Sequence, residues 1–170
     1  MGGTGRLQLI HAIVLAAGAS SRYGVSPPKQ VELLPAVLEA LRQSSVDEVV
    51  VVSGAHLLDV ESVHCPEWER GPGASLRCGL AQLPADAEAA VVVLADGPEL
   101  DPRAIDRVIE SWRVEGGDVV AAAYAGIRLH PVLLGRPAWA LVPDEGAKGL
   151  DARLVACDDL RPPGDVDVRR

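Results

Sequence analysis

Val14-Leu-Ala-Ala-Gly-Ala-Ser-Ser-Arg-Tyr-Gly-Val-Ser-Pro-Pro-Lys29 is an apolar strand that runs into a turn of small residues, with Arg22 and Lys29 as its cations. Leu15, Ala16, Ala17 and Gly18 keep the backbone bare, and Ala19, Ser20 and Ser21 continue the turn. Such a loop brings several backbone N–H groups to one point, which is what a phosphate chain requires. The two commonest phosphate loops are excluded. Gly24 is followed by Val25, so the Walker ending Gly-Lys-Ser/Thr fails, and the dinucleotide pattern Gly-x-Gly-x-x-Gly is absent.

Outward from this stretch, strand and helix signals alternate. Leu9–Ala16 is a continuous apolar strand broken only by His11, and Glu48–Ser53, 90–95 and Val119–Tyr124 read the same way, with 63–65 as a short addition. Helical spacing covers 36–42 and 74–83. Asp101-Pro102 supplies an N-cap and a first-turn proline for a helix through Arg113, which Gly116-Gly117 closes. Pro131 makes any strand over 127–134 an edge or an irregular one. Strands that are apolar on both faces belong to a parallel sheet covered by helices on each side. The expectation is one domain over 1–170, a three-layer α/β/α, Rossmann-like fold with a predominantly parallel sheet. Ligands of such sheets sit beyond the carboxyl ends of the central strands. Gly18 follows the first strand and Asp96 the fourth, so both reach that crevice.

Composition narrows the function classes. The chain has 170 residues, nearly half apolar, with no Phe, which suits aliphatic strands and alanine-rich helices. No apolar run approaches the ~20 residues that span a bilayer, and Met1-Gly-Gly-Thr-Gly-Arg6 carries neither a signal-peptide core nor a myristoylation pattern. Cys65, Cys78 and Cys157 form no C-x-x-C. They are expected as buried or idle thiols of a reduced cytoplasm. A net charge of −8 argues against nucleic acid as a partner. It would also repel a nucleotide, but salt screens that repulsion beyond about 8 Å. Local groups must therefore attract the ligand: Arg22, Lys29, Arg77, backbone N–H groups and a divalent cation.

Asp96 ends the run Val91-Val-Val-Leu-Ala95 and precedes the turn Gly97-Pro98. A carboxylate in that position suits a hard cation, and it also suits a cap for the turn. The glycine loop in the same chain favours the metal.

Five stretches occur in one order: 15–29, Gly73-Ala-Ser-Leu-Arg-Cys-Gly-Leu80, Val93-Leu-Ala-Asp-Gly-Pro98, His130-Pro-Val-Leu-Leu134 and Asp144-Glu-Gly-Ala-Lys-Gly-Leu150. Together they resemble the small nucleoside-triphosphate transferases, of nucleotide-diphospho-sugar transferase fold, and most closely the molybdenum-cofactor cytidylyl- and guanylyltransferases. The resemblance implies a Mg²⁺-dependent nucleotidyltransferase that moves NMP from an NTP to a phosphorylated acceptor, a molybdenum-pterin, with CTP favoured over GTP. It implies Lys29 on the α-phosphate, Arg22 on the β,γ end, and Ser75 and Arg77 beside the base and ribose. Asp96 and Asp167, with Asp165 second, would hold the metal. His130, Asp144 and Lys148 would line the acceptor side, though a lone histidine and a charged surface loop are open readings of those residues.

Pro28-Lys29-Gln30 also resembles cytidylyltransferases acting on sugar or isoprenoid phosphates. Gly97, Leu129, Val168 and a short tail depart from the family pattern, and they favour a nucleotide-binding relative without catalysis as the alternative.

Overall fold

The computed structural model describes residues 8–18 and 29–164, so Ala19, Ser20, Ser21, Arg22, Asp165, Asp167 and Val168 lie outside the described residues. The elements are β1 (Leu9–Ala16), α1 (Lys29–Arg42), β2 (Glu48–Ser53), β3 (Val63–His64), α2 (Pro72–Leu80), β4 (Ala87–Leu94), α3 (Pro102–Glu115), β5 (Val119–Tyr124), β6 (Ile127–Gly135) and β7 (Arg153–Ala156). The strands form one sheet in the order β3-β2-β1-β4-β6-β5-β7. All pairings are parallel except those of β6, which runs against both β4 and β5.

Alternating side chains of β1 enter opposite cores, which is why the strand reads as continuously apolar. Ile10, Ala12 and Val14 pack with Leu34, Val37 and Leu41 of α1 and with Ile105, Val108 and Ile109 of α3. Ile13 packs on the other face with Leu76 and Leu80 of α2. The molecule is therefore the three-layer α/β/α arrangement with the expected, mostly parallel sheet. Asp101 caps α3, its side chain accepting from Arg103 N–H at 2.9 Å.

Several boundaries differ from the sequence reading, each for a physical reason. α1 begins at Lys29 and not at 36. Pro35 looks like a breaker because it lacks a donor. Here it is exposed within the helix, while Leu34 and Val37 are buried and hold the segment to the sheet. β6 is the irregular strand of the two expected alternatives and not an edge strand. Pro131 sits at an irregularity: the β4 pairing starts at Val132, and the register with β5 shifts between Ala121 and Ala123. The missing N–H thus falls where the ladder is interrupted. β7 was not anticipated, because four residues of half-buried alternation give too little signal.

The cysteine expectation also needs correction. Cys65, just after β3, and Cys78 of α2 form a disulfide with Cα atoms 5.8 Å apart, and only Cys157 is a free, buried thiol. Packing of β3 against α2 brings together two residues that are thirteen apart in sequence, a proximity no C-x-x-C spacing announces.

Candidate active site

β1 and β4 are parallel neighbours with Leu15 opposite Leu94, and Ala95 N–H donates to Leu15 C=O at 3.0 Å. Gly18 and Asp96 therefore leave the sheet at the same end. α1 starts across both exits. Lys29 Nζ lies 2.9 Å from Asp96 Oδ2, with the two side chains only 14% and 18% exposed. The next residue, buried Gln30, donates through Nε2 to Gly18 C=O at 2.8 Å. A Cβ on Gly18 would stand 3.2 Å from that nitrogen. The first turn of α1 is thus fastened to the ends of two adjacent strands.

Beside Asp96 opens a pocket of about 300 Å³. Leu100, Leu129 and Val132 supply apolar wall, and Asp96, Arg128, His130 and Lys148 supply the polar groups. His130 is half-buried, and burial pushes its imidazole down to about 4; the Asp96 carboxylate opposes that shift and Arg128 reinforces it. The ring is neutral near pH 7. Arg128 donates to Leu150 C=O at 2.6 Å and to Ala147 C=O at 2.8 Å, so it holds the turn that carries Lys148. Burial lowers the Arg128 pKa.

Gly97, a departure from the family pattern, has a local explanation. A Cβ there would stand 3.1 Å from Pro163 Cβ, and Pro163 C=O accepts from Glu99 N–H at 2.8 Å. Pro163 occupies the space a larger residue would need, and with Gly164 it forms one side of the pocket.

A second group of expected site residues gathers elsewhere. Ser75 is buried within α2 and does not cap it; Gly71 stands at the N-cap. Arg77 pairs with Asp144 Oδ1 and donates to Val142 C=O at 2.8 Å, and Arg70 lies 3.5 Å from the same carboxylate. Hydrogen bonding from Arg77, with the charge of Arg70 behind it, lowers the Asp144 pKa. Gly73 N–H donates to Asp144 C=O at 2.8 Å, and a Cβ on Gly73 would fall 1.7 Å from Pro143 C=O. Only glycine allows α2 and the 143–149 turn to approach this closely.

Of the expected residues, Lys29, Asp96, His130 and Lys148 surround one crevice; Arg77 and Asp144 are engaged with each other. The sequence reading missed Gln30 and Arg128 as site residues. Gln30 had a signal in its position next to Lys29. Arg128 had one in its two-residue spacing from His130, which places both on one side of a strand.

Among the described residues no group of three or more His, Cys, Asp or Glu could hold a metal ion. Mg²⁺ needs only one or two carboxylates when water and phosphate oxygens complete its octahedron. Asp96, a hard oxygen donor at the crevice, fits that demand. Among the described residues no helix is long and apolar enough to cross a membrane.

Comparison with known proteins gives consistent results. The sequence model of the MobA-like NTP transferase domain matches residues 12–156. The bifunctional protein GlmU of Mycolicibacterium gilvum is 32% identical over 116 residues, 68% of this chain and 21% of that protein. The chain thus spans about a fifth of the length of that curated relative. The crystal structure of Rv0371c from Mycobacterium tuberculosis superposes with a TM-score of 0.77 at 28% identity, covering 95% of this chain and 94% of that one. Its complex with manganese gives 0.71 at 27% identity, covering 94% of each chain. A nucleotidyl transferase from Methanothermobacter shares the fold, with a TM-score of 0.66 at 22% identity over 82% of this chain and 79% of that one.

Proposed function

The chain belongs to the MobA-like NTP transferase domain family, and from that premise we propose that it moves a nucleoside monophosphate from an NTP to a phosphorylated acceptor, releasing pyrophosphate. Nucleotidyl transfer is the activity the family carries. The finer reading takes Mg²⁺ as the cofactor, CTP over GTP as the donor and a molybdenum-pterin as the acceptor. A nucleoside triphosphate donor also points to the cytoplasm, where a Cys65–Cys78 pair would face reducing conditions.

The observation that carries the proposal is the Lys29–Asp96 pair at 2.9 Å, across the ends of two adjacent parallel strands and beside the pocket. Such transfers ask the protein mainly for positioning and charge stabilisation. Lys29 is a point charge suited to the α-phosphate, and Arg22, with its fork, suits the β,γ end. Backbone N–H groups from Gly18 to Ser21 would complete the phosphate cradle, and Arg77, once released from Asp144, would serve the nucleoside beside the buried Ser75. Asp96 and Asp167 would hold the divalent ion, and the manganese complex of Rv0371c supports an ion of that charge. When bound, such an ion neutralises charge that develops on the phosphate oxygens. Lys148 supplies a cation for the acceptor's phosphate, assisted by the turn at Asp144. His130, neutral near pH 7, offers the acceptor a hydrogen bond without adding charge.

Thermal denaturation with CTP, GTP, ATP and UTP, each with and without Mg²⁺, tests this reading. A ligand that binds only the native state stabilises it by about 2.7 kcal/mol at a hundredfold excess over its Kd. The expected result is a Mg²⁺-dependent rise in Tm, largest with CTP. Absence of a shift with all four would overturn the donor site.

A further inference from the structure

Where β6 parts from β4, the sheet opens into the pocket. The last partners of the two strands are Val92 and Val132, while β4 runs on to Leu94. On the other side of β6, the register with β5 passes from Val132 opposite Ala121 to Arg128 opposite Ala123. Leu129, His130 and Pro131 thus stand against Ala122 alone, and such a bulge re-aims side chains. Arg128, Leu129 and His130, consecutive residues of one strand, accordingly all line the pocket instead of alternating between faces. The lining is positive, although the chain carries −8. Asp96 is matched by Lys29, whereas among the described residues Arg128 and Lys148 make no ion pair. Arg128 donates to two carbonyls, which leaves its charge uncancelled. Leu129 packs into neither core cluster among the described residues and stays 39% exposed, so the fold does not account for its size.

Resting on the nucleotidyltransferase reading, we propose that this pocket selects an acceptor that is a phosphate monoester with an apolar body. Lys148 meets the phosphate, the charge of Arg128 adds to the attraction, and Leu129 with Pro163 covers the carbon atoms joined to it. A hydroxylated body suits this lining poorly. Asp96 is engaged by Lys29, and Arg128 already donates to Leu150 and Ala147, so few groups are left to bond hydroxyls. Hydroxyls pressed on Leu129, Leu100 and Pro163 would give up water for no new partner. The volume of about 300 Å³ stands at the small end of the range for small-molecule sites. The pocket therefore takes the phosphate and the carbon atoms next to it, whatever ring system extends beyond. Leu129 is also a departure from the family pattern, which makes the apolar wall a property of this chain.

The test is calorimetric titration of the full chain, at fixed ionic strength, with phenyl phosphate, inorganic phosphate, glucose 6-phosphate and benzyl alcohol. Phenyl phosphate should bind about tenfold or more tighter than inorganic phosphate, because apolar burial adds to the same anion contact. Glucose 6-phosphate should bind no tighter than inorganic phosphate, and benzyl alcohol, which has no anion, about tenfold or more weaker than phenyl phosphate. Leu129→Ala should weaken phenyl phosphate by about three- to tenfold and leave inorganic phosphate within about twofold. Lys148→Met should weaken both by about fivefold or more. Glucose 6-phosphate binding as tightly as phenyl phosphate would overturn the apolar body, and benzyl alcohol doing so would overturn the anion. Phenyl phosphate affinity unchanged in Leu129→Ala would place the ligand elsewhere and overturn the assignment to this pocket. Circular dichroism and the melting curve of each variant separate these outcomes from misfolding, and the comparison of the four compounds needs the wild type alone. A wild-type protein with a CTP-dependent Tm rise and no preference for phenyl phosphate loses this inference and keeps the activity. A preference that responds to both substitutions without any CTP shift keeps the pocket and loses the activity reading.

Discussion

Two groups of charged residues carry the motifs of this chain, and they stand in different electrostatic situations. Around Asp96, the cations Arg128 and Lys148 and neutral His130 line a pocket, and Lys29 beside it pairs with a carboxylate at the end of a strand. Around Asp144, the guanidinium groups of Arg77 and Arg70 converge on one carboxylate and Val142 C=O takes a further bond, so the charges are largely spent within the protein. The difference teaches that a motif residue can serve a site in two ways. It can meet the ligand, or it can fix the elements that do. The first group has the geometry for contact; the second clips α2 to the 143–149 turn, which Gly73 allows to approach to backbone distance.

Asp96→Ala should produce the largest effect. It removes a carboxylate that ends β4 at the crevice, and no other group on that strand end can replace it. Turnover should fall by about 10³-fold or more, with the far-ultraviolet circular dichroism unchanged. Turnover within tenfold of wild type would strip the Asp96 group of its claim to contact the reacting phosphates and erase the contrast between the two groups.

Lys29→Ala ranks next. The negative charge that Lys29 meets grows in the transition state, so kcat should fall by about 10²-fold while the Kd for NTP rises less than about tenfold. A loss confined to affinity would make Lys29 a binding residue only. Steady-state turnover beside calorimetric titration of CTP separates the two.

His130 sharpens the contrast through pH. Its native pKa is lowered to about 4 from an ordinary 6.5, chiefly by burial. Between those values an unfolded chain takes up the proton and the folded one does not. His130 therefore costs nothing above pH 6.5 and progressively destabilises the fold as pH falls toward 4, by up to about 1.4 kcal/mol per pH unit. Urea midpoints measured from pH 7 to 4 should fall less steeply for His130→Asn than for wild type. Parallel slopes would place the ring in contact with water and away from the pocket wall.

Much of this architecture was legible in the residues. Continuous apolar strands required helices on both faces, and the turn residues after β1 and β4 fall at one end of the sheet, as the reading expected. The reading failed where tertiary packing overrode a local signal. Pro35 sits within α1 because Leu34 and Val37 are buried. Pro131, by contrast, lies in the irregular strand that was one of the two expected alternatives, where the ladder is interrupted. The Cys65–Cys78 disulfide and the filling of the Gly97 space by Pro163 depend on contacts between distant segments, which no spacing rule encodes. For the site, the strand ends put Gly18 and Asp96 at one crevice, but that Lys29 would pair with Asp96 was not read from the sequence. Arg77 and Asp144 were assigned to separate ligands because sequence does not show that they face each other.

That pair supplies the smallest expected effect and the most direct test of the contrast. Arg77 donates both to Asp144 and to Val142 C=O, whereas Asp144 is more than half exposed. Arg77→Met should therefore lower Tm more than Asp144→Asn does, because it alone leaves a partly buried carbonyl without its donor. Exposed ion pairs contribute little by themselves, so Asp144→Asn should shift Tm by only a degree or two. The double variant should resemble Arg77→Met, since the second substitution removes a partner already lost. If the pair only fixes α2 against the turn, CTP affinity by calorimetry should change less than about threefold in all three proteins. If Arg77 leaves Asp144 to reach the nucleoside, Arg77→Met should weaken CTP binding tenfold or more and Asp144→Asn should strengthen it, by releasing the guanidinium. Opposite signs from the two ends of one ion pair would move Arg77 into the group that meets the ligand.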